Sequence, residues 1–286
     1  MACAGDDESA GELGGEMILA TTTSTYDSGL LDVLVPVFEE QYGTNLKVVS
    51  VGTGAALEMA GNGNADTILV HAPAAEQQYI DSGDLVEGEL VMHNDFVIVG
   101  SPDDPAGVAG LDDIDAVMGA IAETGPFISR GDDSGTNKKE LGLWEAAGVD
   151  PASVTDREET GQGMGATLNV ANQKSAYTLT DRATYLSLRD NLDGLEIVFE
   201  GATSLLNIYH VYLVNPEEHD TVKPEHGRAW VDFMVSDEAQ ALIEDLGVDE
   251  FGEPLFVPDA GKSVEDLGGW TQWSSSRASA RPSAWS

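Results

Sequence analysis

The sequence predicts an α/β fold in two lobes, and three observations point there. Short apolar runs alternate with segments of helical period, as strands joined through helices into an open sheet do. Several of those runs end in loops of glycine and small hydroxyl residues that open the next helix. The series then restarts after the cluster Pro102-Asp103-Asp104-Pro105, which reads as a boundary.

The first series begins with the strand Met17-Ile18-Leu19-Ala20 and the hydroxyl loop Thr21-Thr22-Thr23-Ser24-Thr25. Leu30, Leu34, Val37 and Phe38 follow at helical spacing, with Pro36 expected to kink that helix. Leu46 to Val51 is a second strand, and Gly52-Thr53-Gly54 turns into a helix near Ala55 to Ala60. Thr67 to Val70 is a third strand, Ala74 to Ile80 a helix, and Phe96 to Val99 a fourth strand. The second series has a helix near Leu111 to Ala122, a strand at Phe127, and a helix from Lys138 to Ala147 with Leu141, Trp144 and Ala147 on one face. Ala166 to Gln173 and Asp181 to Leu188 read as helices. Ala176 to Thr180, Leu195 to Phe199 and Ile208 to Val214 read as strands, and Pro224 to Leu246 as one or two helices. Mostly parallel sheets are expected, with ligands beyond the C-terminal strand ends. The chain would cross between lobes near 95–100 and return near 207–214. One lobe is assigned to 17–96 plus 210–268 and the other to 97–209.

Composition narrows the function. The 286 residues are 42% hydrophobic, enough for two lobes of ordinary size. The 51 acidic residues outnumber 13 basic ones, for a formal charge of -38. That acid is spread along the chain, as in proteins of extreme halophiles, where molar salt shortens the Debye length to roughly 3 Å. Nucleic acid is a poor partner for such a surface. No apolar run reaches membrane-spanning length. The single cysteine, Cys3, excludes an internal disulfide and reads as a lipoprotein cysteine. Met1-Ala2 would then remain from an expression vector, and residues 1–16 would be a flexible leader and tether. Residues 274–286 read as a tag or vector remnant.

The most informative stretch is Ser129-Arg130-Gly131-Asp132-Asp133-Ser134-Gly135-Thr136-Asn137. It opens a helix, whose free N–H groups and partial positive charge suit an anion. Ser134 and Thr136 add hydroxyl donors, Gly135 permits close backbone approach, and Arg130 supplies a fixed fork of N–H groups. Of Asp132 and Asp133, one is expected to brace Arg130 and the other to cap the helix. Plain capping explains Asp, Ser and Thr there, but not the arginine before a glycine.

Other motifs carry less. Gly161-Gln162-Gly163-Met164-Gly165 lacks the spacing of a dinucleotide fingerprint, and Gly261-Lys262-Ser263 lacks the first glycine of a Walker A. His71, His93, His210, His219 and His226 show no metal spacing; only His71, at a strand end, is placed to reach a ligand. Ser134 is not in a GxSxG elbow, so no nucleophilic triad is signalled.

Thr21-Thr22-Thr23-Ser24-Thr25-Tyr26-Asp27-Ser28-Gly29-Leu30-Leu31 resembles the opening signature of tungstate-binding proteins of ABC importers, of the TupA type. The Ser129 to Thr136 turn with Lys138-Lys139-Glu140-Leu141, the Gly161 to Gly165 stretch and Ala176 to Arg182 extend the resemblance, which covers roughly 17–259. It departs at Asn137, where the family often has histidine. The resemblance implies a type II periplasmic-binding-protein fold closing on an oxyanion, tungstate with molybdate as a second ligand. It implies an ABC permease and its ATPase as partners, no cofactor, no enzymatic activity, a monomer, and a place on the extracellular membrane face with Cys3 lipidated. Carried onto this chain, Thr22, Thr23, Ser24, Thr53 and Gly54 would donate from one lobe. Arg130, Ser134, Gly135 and Thr136 would donate from the other, with Asp132, Asp133, Asn137 and His71 behind them. The alternatives are a phosphate-binding protein, using Asp132 to accept the proton of hydrogenphosphate, and a phosphate-ester hydrolase on a similar scaffold.

Overall fold

A computed structural model describes residues 13–264, 266 and 267. The leader 1–12 with Cys3, and the segment 274–286, lie outside the described residues.

The chain runs β1 (Glu16–Thr22), α1 (Thr23–Asp27), α2 (Leu30–Tyr42), β2 (Asn45–Val51), α3 (Thr53–Gly61), β3 (Thr67–Val70), α4 (Pro73–Ser82) and β4 (Leu85–Gly100). It continues through α5 (Ile114–Thr124), β5 (Phe127–Ser129), α6 (Gly135–Ala146), β6 (Arg157–Glu159), α7 (Met164–Lys174), β7 (Thr178–Asp181), α8 (Arg182–Leu188) and β8 (Glu196–Phe199). The last elements are β9 (Leu206–Val214), α9 (Pro224–Met234), α10 (Asp237–Asp245), α11 (Val248–Phe251) and β10 (Val257–Pro258).

The sheet order is β10-β4-β9-β3-β1-β2, with β7 and β8 also paired to β4, while β5 and β6 form a separate pair. Among the described strands, parallel pairing joins β1 with β2 and β3, and β5 with β6. All pairs made by β4 and β9 are antiparallel. The expected mostly parallel arrangement therefore holds only where strand and helix alternate. β4 and β9 run side by side in opposite directions because they carry the chain out of one region and back. β4 leaves its partner β9 at Asp95↔Leu206 and takes up β7 at Phe96↔Asp181. One continuous strand thus belongs to both halves of the fold.

Two apolar cores flank this crossing. Leu34 and Phe38 of α2, Ile68 of β3, and Trp230 and Phe233 of α9 lie in one. There the rings of Phe38 and Trp230 meet edge to face at 5.0 Å. Ile98, Met118, Phe127, Trp144 and Tyr177 lie in the other, with Phe127 against Trp144 at 5.2 Å. α2 runs unbroken through Pro36, because Leu31, Leu34 and Phe38 on its buried face hold the turns on either side.

Two local expectations change, and one strand appears that no sequence pattern announces. Thr23 to Thr25 form the start of α1 and not a loop, since Thr22 caps them. β6 has the sequence Arg-Glu-Glu, which carries no strand pattern; its partner β5 supplies the apolar side. On α6 the buried stripe is Thr136, Asn137, Glu140, Leu143 and Trp144, whereas Leu141 is 42% exposed. The face rotates because Glu140 has a buried cation to meet, Arg157.

Candidate functional site

Four helices direct their N-termini at one cavity of about 450 Å³. Thr23 and Ser24 of α1, Gly52 before α3, Ser134 before α6, and Gly163, Met164 and Gly165 at α7 line it. Arg130, Asp132, Asp133, Asp27 and Thr184 complete the wall. Each helix start presents N–H groups with no partner inside its own helix. Four positive dipole ends and one guanidinium make a site for a small anion with acceptor oxygens all round.

The turn around Arg130 is braced from within. Arg130 Nε and Nη2 donate to Asp132 Oδ2 at 3.1 and 2.6 Å, and Ser134 N donates to Asp132 Oδ1 at 3.2 Å. Burial opposes ionisation of Asp132, but the Ser134 hydrogen bonds and the Arg130 charge outweigh it and hold its carboxyl below the usual range. Asp133 is not the helix cap. Ser134 is, with Oγ accepting from Asn137 N at 3.3 Å, while Asp133 pairs with Lys138. The reason is backbone shape: Asp133 sits at φ +58°, outside the extended region a capping residue adopts. Gly131, at φ +59°, has no room for a side chain, since a Cβ would stand 2.6 Å from Glu159 Cβ.

Asn137 is buried and braces the same turn. Its Oδ1 accepts from Asp133 N at 3.2 Å and its Nδ2 donates to Ser129 Oγ at 3.3 Å. Thr136 is buried beside it. Gly135 lines a neighbouring cavity of about 520 Å³ together with His71. A Cβ on Gly135 would meet Thr53 Oγ1 at 3.4 Å and His71 Cε1 at 3.5 Å, so the α6 start abuts the α3 start.

Within the other jaw, Thr22 does not reach the cavity. Its hydroxyl accepts from Thr25 N at 3.3 Å and lies 2.7 Å from Thr25 Oγ1 and 3.0 Å from His71 Nε2. Thr53 is buried and Gly54 follows it in α3; Gly52, one residue earlier, is the one that lines the wall. Thr23, Ser24, Arg130, Asp132, Asp133 and Ser134 are therefore the expected residues brought together around the cavity. Asp27, Gly163, Met164, Gly165 and Thr184 join them without having been expected there. The glycine-rich opening of α7 gave the same signal as the other three helix starts. Asp27 gave none, because an acid is the wrong charge for an anion site. Burial and the nearby Asp181 push the Asp27 carboxyl up, against the pull of Arg130.

The comparisons with known proteins agree with this geometry. A PBP superfamily domain matches residues 6–238. A tungstate-binding protein TupA of Peptoclostridium acidaminophilum is 46% identical over 251 residues, covering 87% of this chain and 87% of its own. The chain belongs to the TupA family of the PBP superfamily. A putative ABC transporter anion-binding protein of Haloferax volcanii is 48% identical over 90% of this chain and 75% of its own length. Among solved structures, TupA from Desulfovibrio alaskensis G20 superposes with a TM-score of 0.78 at 42% identity, over 86% of this chain and 100% of that one. The fold is accordingly the two-lobed type II binding-protein fold of the TupA family.

Proposed function

We propose that this protein is a solute-binding protein that captures tungstate, with molybdate as a second ligand, and delivers it to an ABC permease and its ATPase outside the cytoplasm. The observation that carries this is the convergence of four helix N-termini and Arg130 on one cavity in a chain of the TupA family. Tungstate is a dianion with four acceptor oxygens and no proton at neutral pH. A shell of N–H and O–H donors with one fixed cation satisfies it without leaving a buried group unpaired. The lobes would divide at 17–96 plus 210–268 and 97–209, and close over the anion. Lipidation at Cys3, a monomeric state and adaptation to high salt belong to the same reading.

Phosphate fits less well. Hydrogenphosphate needs an acceptor for its proton; both oxygens of Asp132 are engaged by Arg130 and Ser134, and burial and Asp181 disfavour the ionised form of Asp27, the acceptor that phosphate would need. The relatives named TupA are tungstate-binding proteins, which supports a binding role over the hydrolase reading.

Thermal unfolding with sodium tungstate, molybdate, sulfate and phosphate tests this. At a hundredfold excess over Kd, ligand adds about 2.7 kcal/mol. For a chain of this size that raises Tm by roughly 5–10 °C. Tungstate and molybdate are expected to give this shift; protection by phosphate alone would overturn the assignment.

Asp27 supplies a pH test. Its carboxyl already ionises less readily than usual, and a dianion in the cavity disfavours the charged form further. Binding therefore weakens as pH rises through its folded pKa and levels off once Asp27 is ionised. Asp27→Asn should remove that fall and tighten binding at neutral pH by about three- to tenfold, the effect of roughly half to one pKa unit. Calorimetry on both proteins across that range reads it directly.

A further inference from the structure

His71 touches both jaws of the site and the crossing strands, yet it lies behind the cavity and not on its wall. It is 8% exposed, and its ring stacks on Tyr209 of β9 at 4.6 Å. Nδ1 lies 2.8 Å from Asn207 Oδ1. Asn207 Nδ2 donates to Asn94 Oδ1 at 2.8 Å and to Tyr209 Oη at 3.0 Å, and Oδ1 is the atom that faces His71. An amide oxygen only accepts, so Nδ1 carries the hydrogen and Nε2 holds the lone pair.

That lone pair faces two hydroxyls, Thr22 Oγ1 at 3.0 Å and Ser24 Oγ at 3.2 Å. It takes one proton. Thr22 is nearer and buried, and its oxygen accepts from Thr25 N and lies 2.7 Å from Thr25 Oγ1 and 3.2 Å from Ser24 Oγ. Ser24 lies on the cavity wall, half-buried, and keeps its own proton, for which the Thr22 oxygen is the acceptor until an anion takes its place.

We propose that His71 is a positioning residue for the anion site: its Nδ1-protonated ring takes the Thr22 proton, and this leaves the Ser24 hydroxyl as a donor to the oxyanion. The inference rests on the tungstate reading for its ligand. An anion that only accepts hydrogen bonds gains from Ser24 only when that hydroxyl has a proton to give. Were Ser24 to donate to His71 instead, it would present lone pairs to a dianion. The groups around His71 favour the neutral ring. Burial pushes the imidazole down more strongly than Asn207, Asp181 at the end of β7 and Glu76 of α4 pull it up, and Arg130 pushes it down further. Tyr209, whose hydroxyl burial pushes well up, adds no charge.

Two measurements on the whole chain decide the matter. Nitrogen-15 NMR of histidine-labelled protein, with the His71 signals assigned by their loss in His71→Gln, should show Nδ1 protonated and Nε2 bare, with and without sodium tungstate. A protonated Nε2 in either state overturns the proposal, whether or not tungstate binds. Calorimetry with sodium tungstate should show His71→Leu weaker by about tenfold or more, since one hydrogen bond to a charged ligand is lost. His71→Gln, whose amide both accepts and donates, should stay within about threefold of wild type. Leucine binding as well as wild type, or glutamine as poorly as leucine, would reduce His71 to packing. Wild type failing to bind tungstate would instead sink the ligand assignment.

Discussion

Arg130→Ala is expected to weaken tungstate binding by two to three orders of magnitude and to leave the fold standing. The loss has two parts. The guanidinium is the one cationic side chain on the cavity wall among the described residues, and a charged hydrogen bond to a desolvated dianion is worth roughly 2–4 kcal/mol. Its removal also frees Asp132, whose Oδ2 now holds both Nε and Nη2, to turn its charge on the ligand. Stability should change little, because Arg130 reaches towards the cavity and its one carboxylate partner is two residues away in the same turn. Arg130→Lys separates the parts. It keeps the charge but not the planar fork, so binding should fall between wild type and alanine. Calorimetry gives the affinities and thermal unfolding the stability. Alanine with an unchanged Kd would remove Arg130 from the site.

How far the site could be read from sequence depended on how local each feature is. The Ser129 to Asn137 turn was legible because its residues contact one another: Arg130 with Asp132, Asp132 with Ser134, Ser134 with Asn137. Even there the cap was assigned to an aspartate, since one-dimensional sequence does not reveal that Asp133 takes a left-handed backbone. Which of Thr22, Thr23 and Ser24 faces the cavity is not legible in the sequence. Thr22 is turned inward by His71, 49 residues away. The parallel strands announced themselves through alternation with helices, whereas β4 and β9 pair across more than 110 residues, where no local pattern speaks. β6 was hidden because its residues are charged. Arg157 and Glu159 are there to serve side chains of another element and to flank the Gly131 backbone.

That last group carries the largest expected effect on stability. Glu140 of α6 is 2% exposed. Its Oε1 accepts from Arg157 Nε at 3.1 Å, Arg157 Nη2 at 3.0 Å and Trp144 Nε1 at 3.1 Å, and its Oε2 accepts from Ser129 Oγ at 2.5 Å. Arg157 Nη2 and Asn137 Nδ2 both reach Ser129 Oγ, so the network closes behind the residue that precedes Arg130. Glu140→Ala strands a guanidinium whose side chain is 9% exposed, with only the half-exposed Glu159 left as a counter-charge. Breaking a buried pair from one side costs about 3–5 kcal/mol. That corresponds to a fall in Tm of roughly 6–20 °C, read by calorimetric unfolding. Because most of this cost is the stranded charge and not the lost attraction, the double variant Glu140→Leu with Arg157→Leu should recover much of it. A double variant as unstable as the sum of its singles would mean the pair acts as independent packing. Its binding should still lie below wild type, because Ser129 would keep only Asn137 of its buried partners and the Arg130 turn would lose part of its fixed base. Holding the cation of the site in place is thus a task for a second, buried ion pair, one that never meets the ligand.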